Sequence, residues 1–171
     1  MHVRAAHTGD IDALMGFVDK VFYAGDPLLL RDRAKDLARW ERLLAGAAHI
    51  EHPCAFVAVA EDNGGLRGVL AMMHTAQGEA TVDVMLIEPT VWGSFAGQRL
   101  MTLMWQRVKD AGCKTILVWI PTTAQRARGT FQREGFQRVD GMWRDGEDPK
   151  EPRRHLYKAD VAACSPLHGR G

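Results

Sequence analysis

Ile87-Glu88-Pro89-Thr90-Val91-Trp92-Gly93-Ser94-Phe95-Ala96-Gly97-Gln98 is the stretch on which the reading of this chain turns. Before it, Glu79 to Ile87 alternates like a strand, with Val82, Val84 and Leu86 expected on one face and Thr81, Asp83, Met85 and Ile87 on the other. After it, Leu100, Leu103, Met104, Val108 and Ala111 recur at helical spacing, and Gly112 is the natural stop. A strand therefore feeds a short glycine-containing loop that opens a long helix. Free backbone N–H groups at a helix start attract anions, and the helix dipole adds to the effect. Glycines let the backbone approach a phosphate closely. Two glycines before a helix more often make a simple turn, so the flanks decide the matter.

Downstream, Thr115 to Ile120 is a continuous apolar run, expected as a central strand buried on both faces. Pro121-Thr122-Thr123 opens a helix, with Thr122 and Gln125 spaced as a capping box, that ends near Glu134. Gly135-Phe136 leads into a strand, Arg144 to Pro152 is a polar loop, and His155 to Val161 reads as the last strand. Upstream, His2 to Ala6 is a short strand. Ile11, Leu14, Met15, Val18, Val21 and Phe22 give a helix one apolar face, Tyr23 to Pro27 breaks it, and a second helix runs from about Arg31 to Ala48. Ala55 to Ala60 and Leu66 to His74 form a hairpin across Asp62-Asn63-Gly64-Gly65, because Asn-Gly readily takes positive φ; Gln77-Gly78 makes the next turn. The order β-α-α-β-β-β-α-β-α-β-β predicts an α/β (mixed α+β) single domain over residues 1–161 with a frayed tail over 162–171. It would hold a central mixed sheet of about seven strands, with about four helices on both faces.

Composition narrows the function classes. The formal net charge is +1, so no overall field draws the chain to nucleic acid, although a local basic patch leaves an amino group on nucleic acid open as an acceptor. No apolar run reaches the length of a membrane span, and Met1-His2-Val3-Arg4 does not read as a signal peptide, so a cytoplasmic protein is expected. The three cysteines, Cys54, Cys113 and Cys164, are odd in number and widely spaced, which suggests neither a disulfide framework nor a metal site. Cys113 reads as a packed small apolar residue with no histidine partner, which argues against a covalent acyl-enzyme.

With the flanks included, the segment resembles the GNAT N-acetyltransferases. That family has a strand ending in a V-x-P-like step, then R-G-x-G-x-G/A and a long helix, then a buried strand and a short helix with N-x-x-A-x-x-x-Y running into G-F. Here stand Ile87-Glu88-Pro89, Trp92 to Gly97, Ala127 and Phe131 at the A and Y positions, and Gly135-Phe136. The resemblance implies acetyl-CoA as co-substrate, with pantetheine hydrogen-bonded to an exposed strand edge. It implies the pyrophosphate on Gly93, Ser94, Phe95, Ala96, Gly97 and Gln98, and an amine attacking the thioester directly. A backbone N–H near Leu86 or Ile87 would stabilise the oxyanion. Three departures stand out: Trp92 replaces the arginine, Phe95 the middle glycine, and Phe131 the tyrosine that often protonates the thiolate. Ala124 also replaces the asparagine. Thr123, Thr130 or a water would then substitute as acid.

Candidates for the base are Asp83, on the strand that lines the implied site, and His74, at a strand end; Glu79 and Glu88 are weaker. Each also reads as an ordinary surface polar group. Arg126, Arg128 and Arg133, with Arg99 and Arg107, either attract phosphate or form solvated helix faces. Trp92 is a candidate to stack on the coenzyme, while Trp105, Trp119 and Trp143 read as packing. Tyr23 and Asp26 fall where the family's acceptor site often lies. The acceptor implied is an amine on a small molecule or a protein, and a homodimer is one assembly open to such a domain. Asp145, Glu147, Asp148 and Glu151 would favour a cationic acceptor, or else decorate a solvated hairpin tip. The alternative is a degenerate, non-catalytic GNAT domain that binds CoA or a protein partner.

Overall fold

The computed structural model describes residues 1–23, 32–49, 54–146, 149 and 151–163, without the side chains of residues 22, 23, 48 and 49. In chain order the elements are β1 His2–Ala5, α1 Ile11–Tyr23, α2 Arg33–His49, β2 Phe56–Asp62, β3 Gly65–Ala76, β4 Glu79–Ile87, α3 Phe95–Asp110, β5 Thr115–Pro121, α4 Gln125–Arg133, β6 Gln137–Arg144 and β7 Arg154–Asp160. They form one seven-stranded sheet in the order β1-β2-β3-β4-β5-β7-β6, antiparallel except between β4 and β5. The mixed sheet and its four helices are those expected.

Local chemistry sets the ends. Asp32 starts α2 by accepting from the Ala34 and Lys35 amides, both at 3.1 Å. Gly112, at φ 66°, ends α3 with paired bonds from Gly112 N to Lys109 O and Cys113 N to Val108 O, a Schellman arrangement. The β2–β3 turn departs from expectation. Gly65 takes the positive φ (103°) and Asn63-Gly64 does not, because the Asp62 side chain accepts from Gly64 N at 2.9 Å and shapes the turn. The capping box at α4 is also absent. The helix starts after Ala124, with no side chain on its first amides.

Two cores flank the sheet. Leu14, Phe17, Val18, Trp40, Leu43 and Leu44 of α1 and α2 pack on Val57, Val59, Val69 and Ala71. Leu100, Met101, Met104, Trp105 and Val108 of α3, with Phe131 and Phe136, pack on Leu70, Met72, Ile116 and Val118. Trp105 ties α3 to the end of α4 by donating Nε1–H to Glu134 Oε2 at 3.0 Å. β5 is not buried on both faces as its sequence suggests. Ile116, Val118 and Ile120 are buried while Leu117 and Trp119 are only half-buried, because α1 and α2 lie over β2, β3 and β4 and stop short of β5. Cys54 and Cys113, 59 residues apart, meet in the second core with Sγ atoms 2.6 Å apart. Burial, reinforced by Cys113, pushes the Cys54 thiol up to about 12. No described helix is long and apolar enough to cross a membrane.

Candidate active site

The site begins with one extra residue. Ala71 pairs with Val84 but Met72 pairs with Val82, so Asp83 is a bulge in β4. A bulge bends its strand and sharpens the twist. It also reverses the facing of the residues beyond it. Ala80 and Val82 join the α3 core together with Met85 and Ile87, whereas Val84 and Leu86 join the α1–α2 core. The uninterrupted alternation expected for β4 is therefore wrong on one side of Asp83. The parallel pairing with β5 runs from Glu79–Thr115 to Val82–Val118 and stops at the bulge. Beyond it β4 continues to Ile87 and β5 to Pro121 with no pairing between them, which leaves a cleft between two strands.

Backbone alternation says which groups line that cleft. Glu88 N donates to Arg67 O at 2.9 Å, so Glu88 and Arg67 are a hydrogen-bonded antiparallel pair. Successive pairs alternate, which turns the Leu86 N–H and C=O toward β3 and those of Ile87 toward the cleft. Of the two amides expected at an oxyanion position, the structure thus brings Ile87 to the cleft and commits Leu86 to the β3 ladder. The Ile87 carbonyl accepts the Trp92 indole N–H at 3.0 Å, and its amide stays open on that edge.

The loop comes directly after this strand. Gly93 sits at φ 83°, a conformation that side chains resist, although a Cβ there would meet nothing within 4 Å. Ser94 precedes α3 and its Oγ accepts from Ala96 N at 3.4 Å. Ala96 itself is fully buried, and Gly97 faces Ile87, where an added Cβ would make an ordinary contact at 3.7 Å. Gln98 lies one position further along the same first turn. Trp92 and Phe95 are 48% and 69% exposed, so the mouth of the cleft carries two large aromatic side chains. The first turns of α3 and α4 hold no acid, whereas those of α1 and α2 hold Asp12 and Asp36.

Asp83 is half-buried and engaged. Arg39 of α2 donates Nε (3.1 Å) and Nη2 (3.0 Å) to Asp83 Oδ2 and Nη2 to the Asp83 carbonyl (3.1 Å), leaving Oδ1 without a described partner. His74 lies elsewhere. It pairs with Ala80 at the closed end of β4 and lines a recess with Gln77, Gly78, Cys113 and Lys114, so it joins neither Asp83 nor the loop. Glu79 is at that end too, accepting from Thr75 Oγ1. Glu88 is 3% exposed and holds Lys20 at 2.8 Å and Arg67 at 2.7 Å, which keep its carboxyl down at about 2. It fastens α1 to β3 and β4 and has no free oxygen for proton transfer.

Phe131, expected beside the coenzyme, is 4% exposed and packs edge-on against Phe136 at 5.0 Å, in the core under α4. Thr123 is exposed just before α4. The Tyr23 side chain, Asp26, Glu147 and Asp148 lie outside the described residues. Asp145 and Glu151 have basic neighbours, Arg153 at 3.4 Å and Arg154 at 3.0 Å, which weakens the reading of that loop as an acidic lure. Sequence reasoning misses Arg39 as the partner of Asp83, and the stacking of Arg126 on Trp92 (4.5 Å) and of Arg144 on Trp119 (4.8 Å). Nothing in the local pattern marks these pairs, since each joins distant segments. Among the described residues no group of three or more His, Cys, Asp or Glu could hold a metal ion.

A family model described as "Acetyltransferase (GNAT) family" matches residues 22–136. No curated protein matches the chain in sequence. Among solved structures, it is similar to the PaiA N-acetyltransferase of Thermoplasma acidophilum in complex with coenzyme A (13% identity, 93% of this chain and 98% of that one, TM-score 0.72). It is similar too to the ribosomal-protein-S18-alanine N-acetyltransferase of Escherichia coli (11%, 99% and 98%, TM-score 0.71). A GNAT-family acetyltransferase of Staphylococcus aureus Mu50 is a third such structure (11%, 94% and 98%, TM-score 0.73).

Proposed function

The chain belongs to the GNAT acetyltransferase family, and on that premise we propose that it moves an acetyl group from acetyl-CoA to a primary amine of a small molecule or a protein. The observation that carries this is the cleft opened at Asp83, with an unpaired β4 edge that runs into an acid-free helix start. An extended pantetheine arm needs such an edge, and a pyrophosphate needs such a helix start. Gly93 to Gln98 would hold the phosphates and Ile87 the arm. The coenzyme supplies an activated acetyl thioester. Asp83 Oδ1 takes the proton that the acceptor ammonium must lose before it attacks, while Arg39 holds the other oxygen. The Ile87 amide donates to the carbonyl oxygen as charge builds on it. No tyrosine is needed for the leaving group, since a thiol of ordinary pKa, about 8.5, departs tolerably as thiolate at neutral pH.

The test is calorimetry with acetyl-CoA, followed by thiol release across a panel of small amines and peptide N-termini. Binding with acceptor-dependent release is expected. Binding without release from any amine would favour a second reading, a non-catalytic coenzyme-binding domain, which the core position of Phe131 supports. Absence of binding at millimolar coenzyme would remove both.

A further inference from the structure

We infer that Arg126, held over Trp92, is a phosphate-binding residue of this coenzyme site; the inference rests on the proposed reading that the cleft takes acetyl-CoA. Trp92 is pinned at one edge, its indole N–H on the Ile87 carbonyl at 3.0 Å, so the ring stands at the junction of cleft and loop. Against that ring lies the Arg126 guanidinium, with Cζ 4.5 Å from the centroid. A cation stacked on an indole is attracted by the ring face and loses conformational freedom, while its in-plane N–H donors stay available at the edge. Those donors match a phosphate in a two-pronged contact.

At the helix start itself a cation such as Arg126 is disfavoured, and the Trp92 ring is what offsets this in the absence of an anion. Arg126 sits in the first turn of the nine-residue α4, at the positive end of the helix dipole, where a carboxylate is favoured and a cation is not. No acid in that turn and no side-chain cap offsets it. Among the described residues no carboxylate pairs with it, in contrast to Arg4, Arg39 and Arg67, each of which has at least one. The α3 start, also without an acid, adjoins the same indole through Gly93 and Ser94. Two positive helix ends and a pre-ordered guanidinium thus surround one exposed ring. Where the GNAT pattern puts an arginine, this chain puts the aromatic platform that holds an arginine from another helix.

The experiment is calorimetry of the full chain and of Arg126→Gln with three ligands: acetyl-CoA, its 3′-dephospho form and S-acetylpantetheine. Arg126→Gln should weaken acetyl-CoA about tenfold, the ordinary worth of a charged hydrogen bond, and leave S-acetylpantetheine unchanged. If the dephospho form suffers the same loss, Arg126 grips the pyrophosphate; if it suffers none, Arg126 grips the 3′-phosphate. Trp92→Ala should lose affinity for the same ligands, because the guanidinium loses its platform. Affinity of Arg126→Gln within twofold of the parent for acetyl-CoA overturns the inference, as does an equal loss for S-acetylpantetheine. A parent protein that binds acetyl-CoA while the variant does not change condemns Arg126 alone; a parent that binds none of the three condemns the coenzyme reading itself. Arg126 is exposed, so the variant should melt with the parent.

Discussion

Replacing Glu88 with glutamine keeps the side-chain shape and removes the charge that Lys20 and Arg67 share. The Glu88 carboxyl is held at about 2 against an ordinary 4.5, first by Lys20 and then by Arg67. A tenfold change in proton affinity corresponds to about 1.4 kcal/mol, so the carboxylate contributes about 3 kcal/mol at neutral pH before screening. The Lys20 side chain is 54% exposed, which trims the figure to about 2 kcal/mol. Arg67 keeps Asp62 at 2.9 Å in the variant, so no guanidinium is stranded. Because the folded protein lowers this pKa, the contribution is complete above about 4.5 and is lost as the pH falls toward 2. Asp10, held at about 2 by Arg4, adds an acid slope common to both proteins. Urea unfolding followed by circular dichroism should show Glu88→Gln about 2 kcal/mol less stable at pH 7, with the gap closing as the pH falls from about 4.5 to 2. A difference below about 0.5 kcal/mol at pH 7, or a gap that stays constant on acidification, would refute the assignment of the stability to this pair.

Asp83→Asn should cut kcat by about 10²- to 10⁴-fold with little change in acetyl-CoA affinity; activity within threefold of the parent, measured by thiol release, would place the base elsewhere. Gly93→Ala should weaken coenzyme binding, since its φ of 83° costs a side chain about 1–2 kcal/mol, whereas Gly97→Ala meets only an ordinary contact and should bind almost normally. In a Cys164→Ser background, Cys54 and Cys113 should resist a thiol reagent at pH 8 until denaturant is added, because both are buried and the Cys54 thiol is pushed up to about 12. Rapid labelling of the native protein would show that the second core opens there.

The features legible in the chain are those that neighbouring residues decide. The strand–loop–helix step at Ile87 to Gln98, the apolar stripe of α3 and the Gly112 stop all depend on contacts within a few positions, and each has its expected place. Errors arise where a distant segment decides. An alternating stretch does not reveal that β3 skips Asp83, so simple alternation puts half of β4 on the wrong face. The apolar run of β5 does not tell how far α1 and α2 reach across the sheet. Phe131 holds its motif position, and the sequence does not tell that its ring packs edge-on against Phe136. The Trp92–Arg126 and Cys54–Cys113 contacts are invisible for the same reason: each is made by chain segments that only the folded sheet brings together.

The bulge also bears on how this chain can change over time. A substitution at Asp83 alters a side chain; a deletion there alters a count. With that residue gone, the Val82–Met72 and Val84–Ala71 pairs would become adjacent rungs and β4 would pair with β3 without interruption. Each residue up to Ile87 would keep its partner and its face, but the bend that parts β4 from β5 would disappear. Loss of a single codon at this place should therefore close the cleft while leaving the ladder intact, so drift must preserve the length of this strand as well as the identity of Asp83.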